Sequence, residues 1–300
     1  MFNFKPYFKS KRQIIDMIKN LAFILTLVSG VIFAQNTRFV YQVMMKTDSA
    51  TAPTVENAYL DVSGDKSFFY GEKRIQRDSL MQRNFQTRNF NFDRSQMEQY
   101  RTQINYEVEK DLSAQKITFK NRIARDLYSY DEDRSFNWKI LPETTKIGEY
   151  KVQKAETDFA GRKWTAWFTQ DIPVMDGPYK FSGLPGLIVK VEDAKGDYSF
   201  DLKETKKIGE LPNLNQQRGG STVAVKRKDY EKQMEKFRKD PVSFMNAGNG
   251  GAPAPPVSAS GGGGGGFRMQ MDPQRMKEME ARMKEEQKKN NNPIERVEVK

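Results

Sequence analysis

The chain has neither cysteine nor histidine in its 300 residues. Without cysteine there are no disulfides, no thiolate nucleophile and no thiolate zinc site. Without histidine there is no Ser-His-Asp triad, no Cys-His dyad and no imidazole metal ligand. The fold must stand on its own apolar core, even in an oxidising compartment. Metal binding is left to Asp and Glu oxygens, and no Asp-rich loop has the spacing of a calcium site. Neither a metal nor a cofactor is expected. Long apolar runs are scarce too. The best one, residues 21–33, falls short of the roughly 20 residues that span a bilayer.

That run has a specific context. Lys5, Lys9, Lys11, Arg12 and Lys19 precede it, and Ala34 closes it before Gln35. A basic start, an apolar middle and a small residue at the cut describe a secretory signal peptide, residues 1–34. Met17 offers an alternative start, with Lys19 in a normal basic region. No Cys follows the cut, so lipid anchoring there is excluded. The expected product is exported to the periplasm or cell exterior, with no transmembrane helix in the mature chain. It keeps +7 of the formal +11 charge, because five basic side chains and Asp16 leave with the signal. Such an excess fits a moderately basic soluble surface.

The mature chain divides by composition. Residues 35–245 hold clustered Phe, Tyr, Ile and Val and form the globular domain. Residues 246–268 collapse into Gly, Pro, Ala and Ser, with six consecutive glycines, and cannot bury enough apolar surface to order themselves. As a tether that stretch would span about 25 Å. Residues 269–300 carry a C-terminal helix that starts at Asp272-Pro273, with Met276, Met279 and Met283 on one stripe.

Within the domain, period-two alternation predicts strands at 38–45, 58–62, 67–70, 103–108, 116–120, 136–140, 148–155, 163–169, 187–192 and 198–203. Ser63-Gly64-Asp65-Lys66 and Asp193-Ala194-Lys195-Gly196-Asp197 read as hairpin loops. A short helix is expected within 71–99. Another is expected at 228–239, where Tyr230, Met234 and Phe237 share a stripe and Pro241 stops it. Short strands with no intervening helices argue against alternating β-α-β units. The expected fold is mainly β (a β-rich α+β arrangement). It is a single antiparallel, strongly curved sheet covered by one or two short helices.

The densest signal is Asp176-Gly177-Pro178-Tyr179-Lys180-Phe181-Ser182-Gly183-Leu184-Pro185-Gly186-Leu187-Ile188. Gly177 and Pro178 mark a turn. Gly183 frees the backbone, and Pro185 followed by Gly186 meets the demand of a type II turn. This stretch resembles the GLPGLI family of exported Bacteroidetes proteins. So do Trp138-Lys139-Ile140, Lys146 to Lys151, Gly161 to Thr169, Asp171-Ile172-Pro173 and the ending Asn292-Pro293-Ile294-Glu295. Members often carry Cys where this chain has Val152. The family has no agreed activity, so the resemblance implies an exported protein of unknown function.

Arg162, Trp167, Asp176, Tyr179 and Lys180 are the candidate ligand-binding residues, being polar or aromatic and close to the signature. Trp164 and Trp167 fall on opposite faces of one strand, so Trp164 belongs to the core and Trp167 to a wet face or cleft. No catalytic set is evident. The expectation is a non-enzymatic envelope protein that binds an apolar or extended ligand (lipid, peptide or partner protein) and no nucleic acid. One alternative is a hydrolase using carboxylates such as Asp171 and Asp176. Another is an assembly factor whose methionine-faced tail docks on a partner.

Overall fold

The computed structural model describes residues 36–88, 97–124, 126–212, 214, 222–241 and 273–296, all within the unit Asn36–Lys300. The expected signal peptide, the tether and Asp272 lie outside the described residues, as does the side-chain packing of Met276 and Met279.

The strands are β1 (Asn36–Met45), β2 (Thr54–Ser63), β3 (Lys66–Gly71), β4 (Glu107–Asp111), β5 (Lys116–Ile123) and β6 (Asp126–Asp131). They continue with β7 (Lys139–Ile147), β8 (Tyr150–Phe159), β9 (Arg162–Thr169), β10 (Leu187–Asp193), β11 (Tyr198–Ile208) and β12 (Thr222–Ala224). The helices are α1 (Glu72–Gln86), α2 (Arg227–Lys239) and α3 (Pro273–Lys288). All twelve strands join one sheet, in the order β12-β6-β5-β4-β3-β2-β1-β11-β10-β9-β8-β7. Two meanders are thus fused where β1 pairs antiparallel with β11, from Asn36↔Ile208 to Met45↔Tyr198.

The order forces curvature. β6 and β7 are second and last in the sheet, ten strand spacings apart. A flat sheet would separate them by about 48 Å. The chain from Asp131 to Lys139 reaches at most about 28 Å. The sheet must curl until its far wings approach each other, so the expected curved, mostly antiparallel β fold is what forms. β12 is a departure, pairing in parallel with β6 through Val223↔Tyr128.

Period-two alternation chooses the inner face. Phe39, Tyr41, Val43 and Met45 on β1 are buried, as are Ala58 and Leu60 on β2, Phe69 on β3 and Val108 on β4. Trp164, Ala166 and Phe168 on β9 and Phe200 on β11 join them in one core. Gly64 and Gly196 take positive φ (59° and 66°) at the two expected hairpins. Two local expectations need correction, and one strand is additional to those expected. The strand expected at 103–108 begins only at Glu107, because Thr102 and the Gln103 amide instead bond to Glu56, with Ile104 buried beneath. The strand expected at 136–140 begins at Lys139, because Phe136 and Trp138 turn inward onto Phe181. β6 was not anticipated at all. The 228–239 helix forms as expected, with Tyr230 packed on Phe119 and Tyr130.

The outer edge strand β7 is mostly exposed. A register irregularity between Ile140 and Thr144 surrounds Pro142. A proline and a bulge at an edge discourage pairing with another chain.

Candidate functional site

The signature does not border an open trough; it fills one. Residues 170–186 connect β9 to β10 and fold across the inner face, burying Asp176, Tyr179, Lys180, Phe181 and Leu184. Lys110, on β4, holds this loop from below. Its ammonium donates to Asp176 Oδ1 (2.5 Å) and to the carbonyls of Gly177 (2.6 Å) and Phe181 (3.2 Å). Three protons thus meet three acceptors. Burial pulls the Lys110 pKa down, against the pull of the Asp176 charge.

The glycines have distinct reasons. A Cβ on Gly186 would sit 2.0 Å from the Thr169 carbonyl oxygen, and its φ is 143°. A Cβ on Gly177 would strike the Ile188 side chain at 2.8 Å. Gly183 has open space but a φ of 88°. The expected type II turn is tighter than predicted: the Gly186 amide donates to the Leu184 carbonyl (2.8 Å), closing a three-residue turn about Pro185. Pro178 is buried and Pro185 is exposed.

Three of the five candidate ligand-binding residues converge, and what they converge on is the chain's own C-terminal segment. Arg162, buried at the start of β9, donates to Asn292 Oδ1 (2.7 Å) and to the Pro293 carbonyl (2.8 and 3.2 Å). Its other N–H groups reach Asp193 (2.6 Å) and Asp197 (3.2 Å). All five guanidinium donors are therefore used. Lys180 donates to Glu295 (2.5 Å), Glu132 (2.6 Å) and the Tyr130 hydroxyl (2.8 Å). The Tyr179 hydroxyl donates to the same Glu295 oxygen (2.5 Å), and Arg134 donates to the other (2.8 Å).

Main-chain contacts complete the grip. The Asn292 amide donates to the Thr47 carbonyl and the Arg296 amide to Ala160, each at 2.9 Å. The Tyr198 hydroxyl donates to the Asn292 carbonyl (2.6 Å). The Asn292 side-chain amide donates to the Lys46 carbonyl (2.7 Å). Gly161 lets the tail lie close, since a Cβ there would meet the Arg296 Cβ at 2.9 Å. Main-chain bonds plus side-chain pockets are how proteins hold extended peptides.

Tyr179 adopts φ 54°, a sparsely populated backbone state outside glycine. Its ring is fixed by Tyr106, Phe181 and Phe200, and its hydroxyl by Glu295. Burial first, then the nearby Glu295 charge, pushes the Tyr179 pKa well up, so it remains a donor. For Glu295, burial alone would raise the pKa. Lys180, and after it Arg134, outweigh burial and bring it to about 2.

The other two candidates stand apart. Asp176 pairs with Lys110, and its Oδ2 has no hydrogen-bond partner. Trp167 is half-buried on the opposite face of the sheet from Trp164, opposite Lys154 and Lys190 in the pairing. Asp171 is exposed, whereas Asp176 is fully buried. Sequence reasoning missed Lys110, Glu132, Arg134 and Glu295. The alternation on β4 was the available signal, because Lys110 shares a face with Val108. No group of three or more acidic side chains suited to a metal occurs among the described residues. No described helix is long and apolar enough to cross a membrane.

A family model described as a protein of unknown function (Porph_ging) matches residues 158–190, from the end of β8 through the signature into β10. No curated protein matches the chain. Two crystal forms of PNGF-II resemble it at 18% identity over 68% of this chain, with TM-scores of 0.50 (C2) and 0.49 (P21). The chain spans about a third (34%) of the PNGF-II length, and this likeness concerns the fold alone. A LolA superfamily protein from Nitrosomonas europaea aligns at 10% identity over 60% of this chain and 89% of that one, with a TM-score of 0.26. A putative outer membrane lipoprotein-sorting protein domain from Vibrio parahaemolyticus aligns at 8% identity over 64% and 94%, with a TM-score of 0.27. Those two superpose too loosely to bear on function.

Proposed function

We propose that this is an exported, non-enzymatic envelope protein that binds a short peptide segment of a partner. The binding place is the groove that residues 291–296 occupy. The observation that carries the reading is that one short segment supplies three of the five hydrogen bonds of Arg162, through Asn292 and Pro293, and one of the three of Lys180, through Glu295. Vacated, the groove would present two buried cations, Arg134, Tyr179 and Tyr198, a surface matched to a chain with a carboxylate and free main-chain groups. Export rests on the basic and apolar pattern of residues 1–34. A lipid finds less support, because the inner face is filled by side chains such as Phe181, Leu184 and Phe200. The hydrolase alternative gains none, since Asp171 and Asp176 do not share a cleft.

A labelled peptide Asn-Asn-Pro-Ile-Glu-Arg-Val-Glu-Val-Lys tests this. A tethered tail competes at an effective concentration of about millimolar. The full chain should therefore bind the peptide weakly and saturably. Asn292→Ala, which loosens the resident tail, should bind it about tenfold more tightly. Absence of saturable binding to either protein would defeat the proposal.

A further inference from the structure

A second recess lies where the docked tail meets the sheet rim. It is a recess of about 450 Å³, broadly open to solvent, lined by Lys46, Ser49, Lys195, Asp197, Asn291 and Arg296, among others. That size is within the roughly 300–1,000 Å³ of small-molecule sites. Three separate parts of the chain build it: the end of β1, the β10–β11 turn and the C-terminal segment. They are tied together. The Lys46 amide donates to the Asp197 carbonyl (2.7 Å), and Asn292 donates to the Lys46 carbonyl (2.7 Å). The Ser49 amide donates to Asn291 Oδ1 (2.9 Å).

The charges in this recess do not balance. Lys46, Lys195 and Arg296 face one carboxylate, Asp197. That carboxylate is already engaged by Arg162 (3.2 Å) and lies 3.8 Å from Arg296. Among the described residues, the ammonium groups of Lys46 and Lys195 have no hydrogen-bond or ion-pair partner. Elsewhere in the structure, cations near the tail are saturated, as Arg162 and Lys180 are. Cations held around one recess repel each other, and a bound anion removes that repulsion.

We propose that this recess binds a compact anion of the phosphate class, either free phosphate or the phosphodiester of a lipid headgroup. Its oxygens would meet Lys46 from β1, Lys195 from the turn and Arg296 from the tail. Bound anion would then bridge the tail to the sheet and oppose tail release, by linkage. The site does not depend on the peptide-binding reading.

The test uses the full mature chain. One arm titrates inorganic phosphate and follows heat and thermal unfolding. The other measures co-sedimentation with phosphatidylcholine vesicles, with and without phosphatidylglycerol. Variants are Lys46→Gln with Lys195→Gln, and a control pair, Lys146→Gln with Lys151→Gln, exposed at the β7–β8 end of the sheet. The expected result is saturable binding in at least one arm, weakened about tenfold by the first pair and unchanged by the control. Response to phosphate identifies a free-anion site; response only to phosphatidylglycerol identifies a headgroup site. Saturable binding in neither arm overturns the proposal. So does equal loss in both variant pairs, which would mean diffuse attraction to a basic surface.

Discussion

Glu295 and Lys180 are 115 residues apart in sequence, yet the carboxylate accepts a 2.5 Å hydrogen bond from the ammonium beneath the signature loop. The Lys180 side chain is fully buried, while Glu295 keeps 21% of its side-chain surface toward solvent. This pair fastens the last described segment of the chain to its most distinctive motif. It ties residues 292–296 to the sheet through side chains as well as main-chain bonds.

The pair has a pH signature. The folded Glu295 carboxyl is held at about 2 against an ordinary 4.5. A depressed folded pKa adds stability above the unfolded value, and that stability is lost as pH falls through the folded one. The window is therefore about pH 4.5 down to about 2. Discounted for partial solvent access, the Glu295 contribution is about 2 kcal/mol. Urea unfolding of wild type and Glu295→Gln should differ by that much near neutral pH and converge at acid pH. A constant difference across the range would contradict it.

Lys110 and Asp176 form a fully buried pair, exposed by 1% and 0%. Lys110→Met strands a carboxylate inside the sheet, at a cost of about 3–5 kcal/mol. Adding Asp176→Leu removes the stranded charge and should restore most of that loss. The double-mutant cycle in denaturant unfolding checks this. If the double variant is as unstable as the sum of the singles, the pair is not coupled as described.

The glycines should rank by what their Cβ would meet. Gly186→Ala strikes the Thr169 carbonyl and forces an alanine to φ 143°. It should cost more than about 4 kcal/mol. Gly64→Ala meets nothing within 4 Å and takes φ 59°. Its cost should be about 1 kcal/mol. Thermal unfolding of the two variants gives the order directly.

Tail docking should be separable from sheet stability. Asn292 uses its side chain toward Lys46, Arg162 and Arg296. In Asn292→Ala, amide exchange at residues 292–296 should speed up, with the local opening free energy lower by about 2 kcal/mol. The amides of β1 and β11 should keep their protection. Equal acceleration in both places would show that the tail cannot open by itself.

Much of the architecture was legible because it is local. The stripe Tyr230, Met234 and Phe237 with Pro241 behind it gave α2 almost to the residue. The alternation of Trp164, Ala166 and Phe168 gave the buried face of β9. Where a tertiary partner overrode the pattern, the reading slipped. Gln103 and Ile104 alternate like strand residues, but Glu56 claims the backbone there. The candidate set was half legible. Arg162, Tyr179 and Lys180 stand out for their place beside the signature and Glu295 only as part of the family-like ending, while Lys110, Glu132 and Arg134 look from sequence like ordinary surface charges. Lys and Glu are almost never fully buried unless paired, and pairing is invisible along the chain.

Sequence by itself settled the missing chemistry of cysteine and histidine, the strand faces, the hairpins at Gly64 and Gly196, and the stop at Pro241. These follow from side-chain inventory, period-two geometry and backbone sterics, all of which act over a few residues. Only the tertiary structure decided that β11 returns to β1, that a short crossover from Asp131 to Lys139 rolls the sheet, and that the C-terminal segment fills the groove. The first two depend on which strands pair, and which apolar faces are buried together, across long stretches of chain; the third depends on which distant charges neutralise one another once water is expelled. A linear pattern carries neither kind of information.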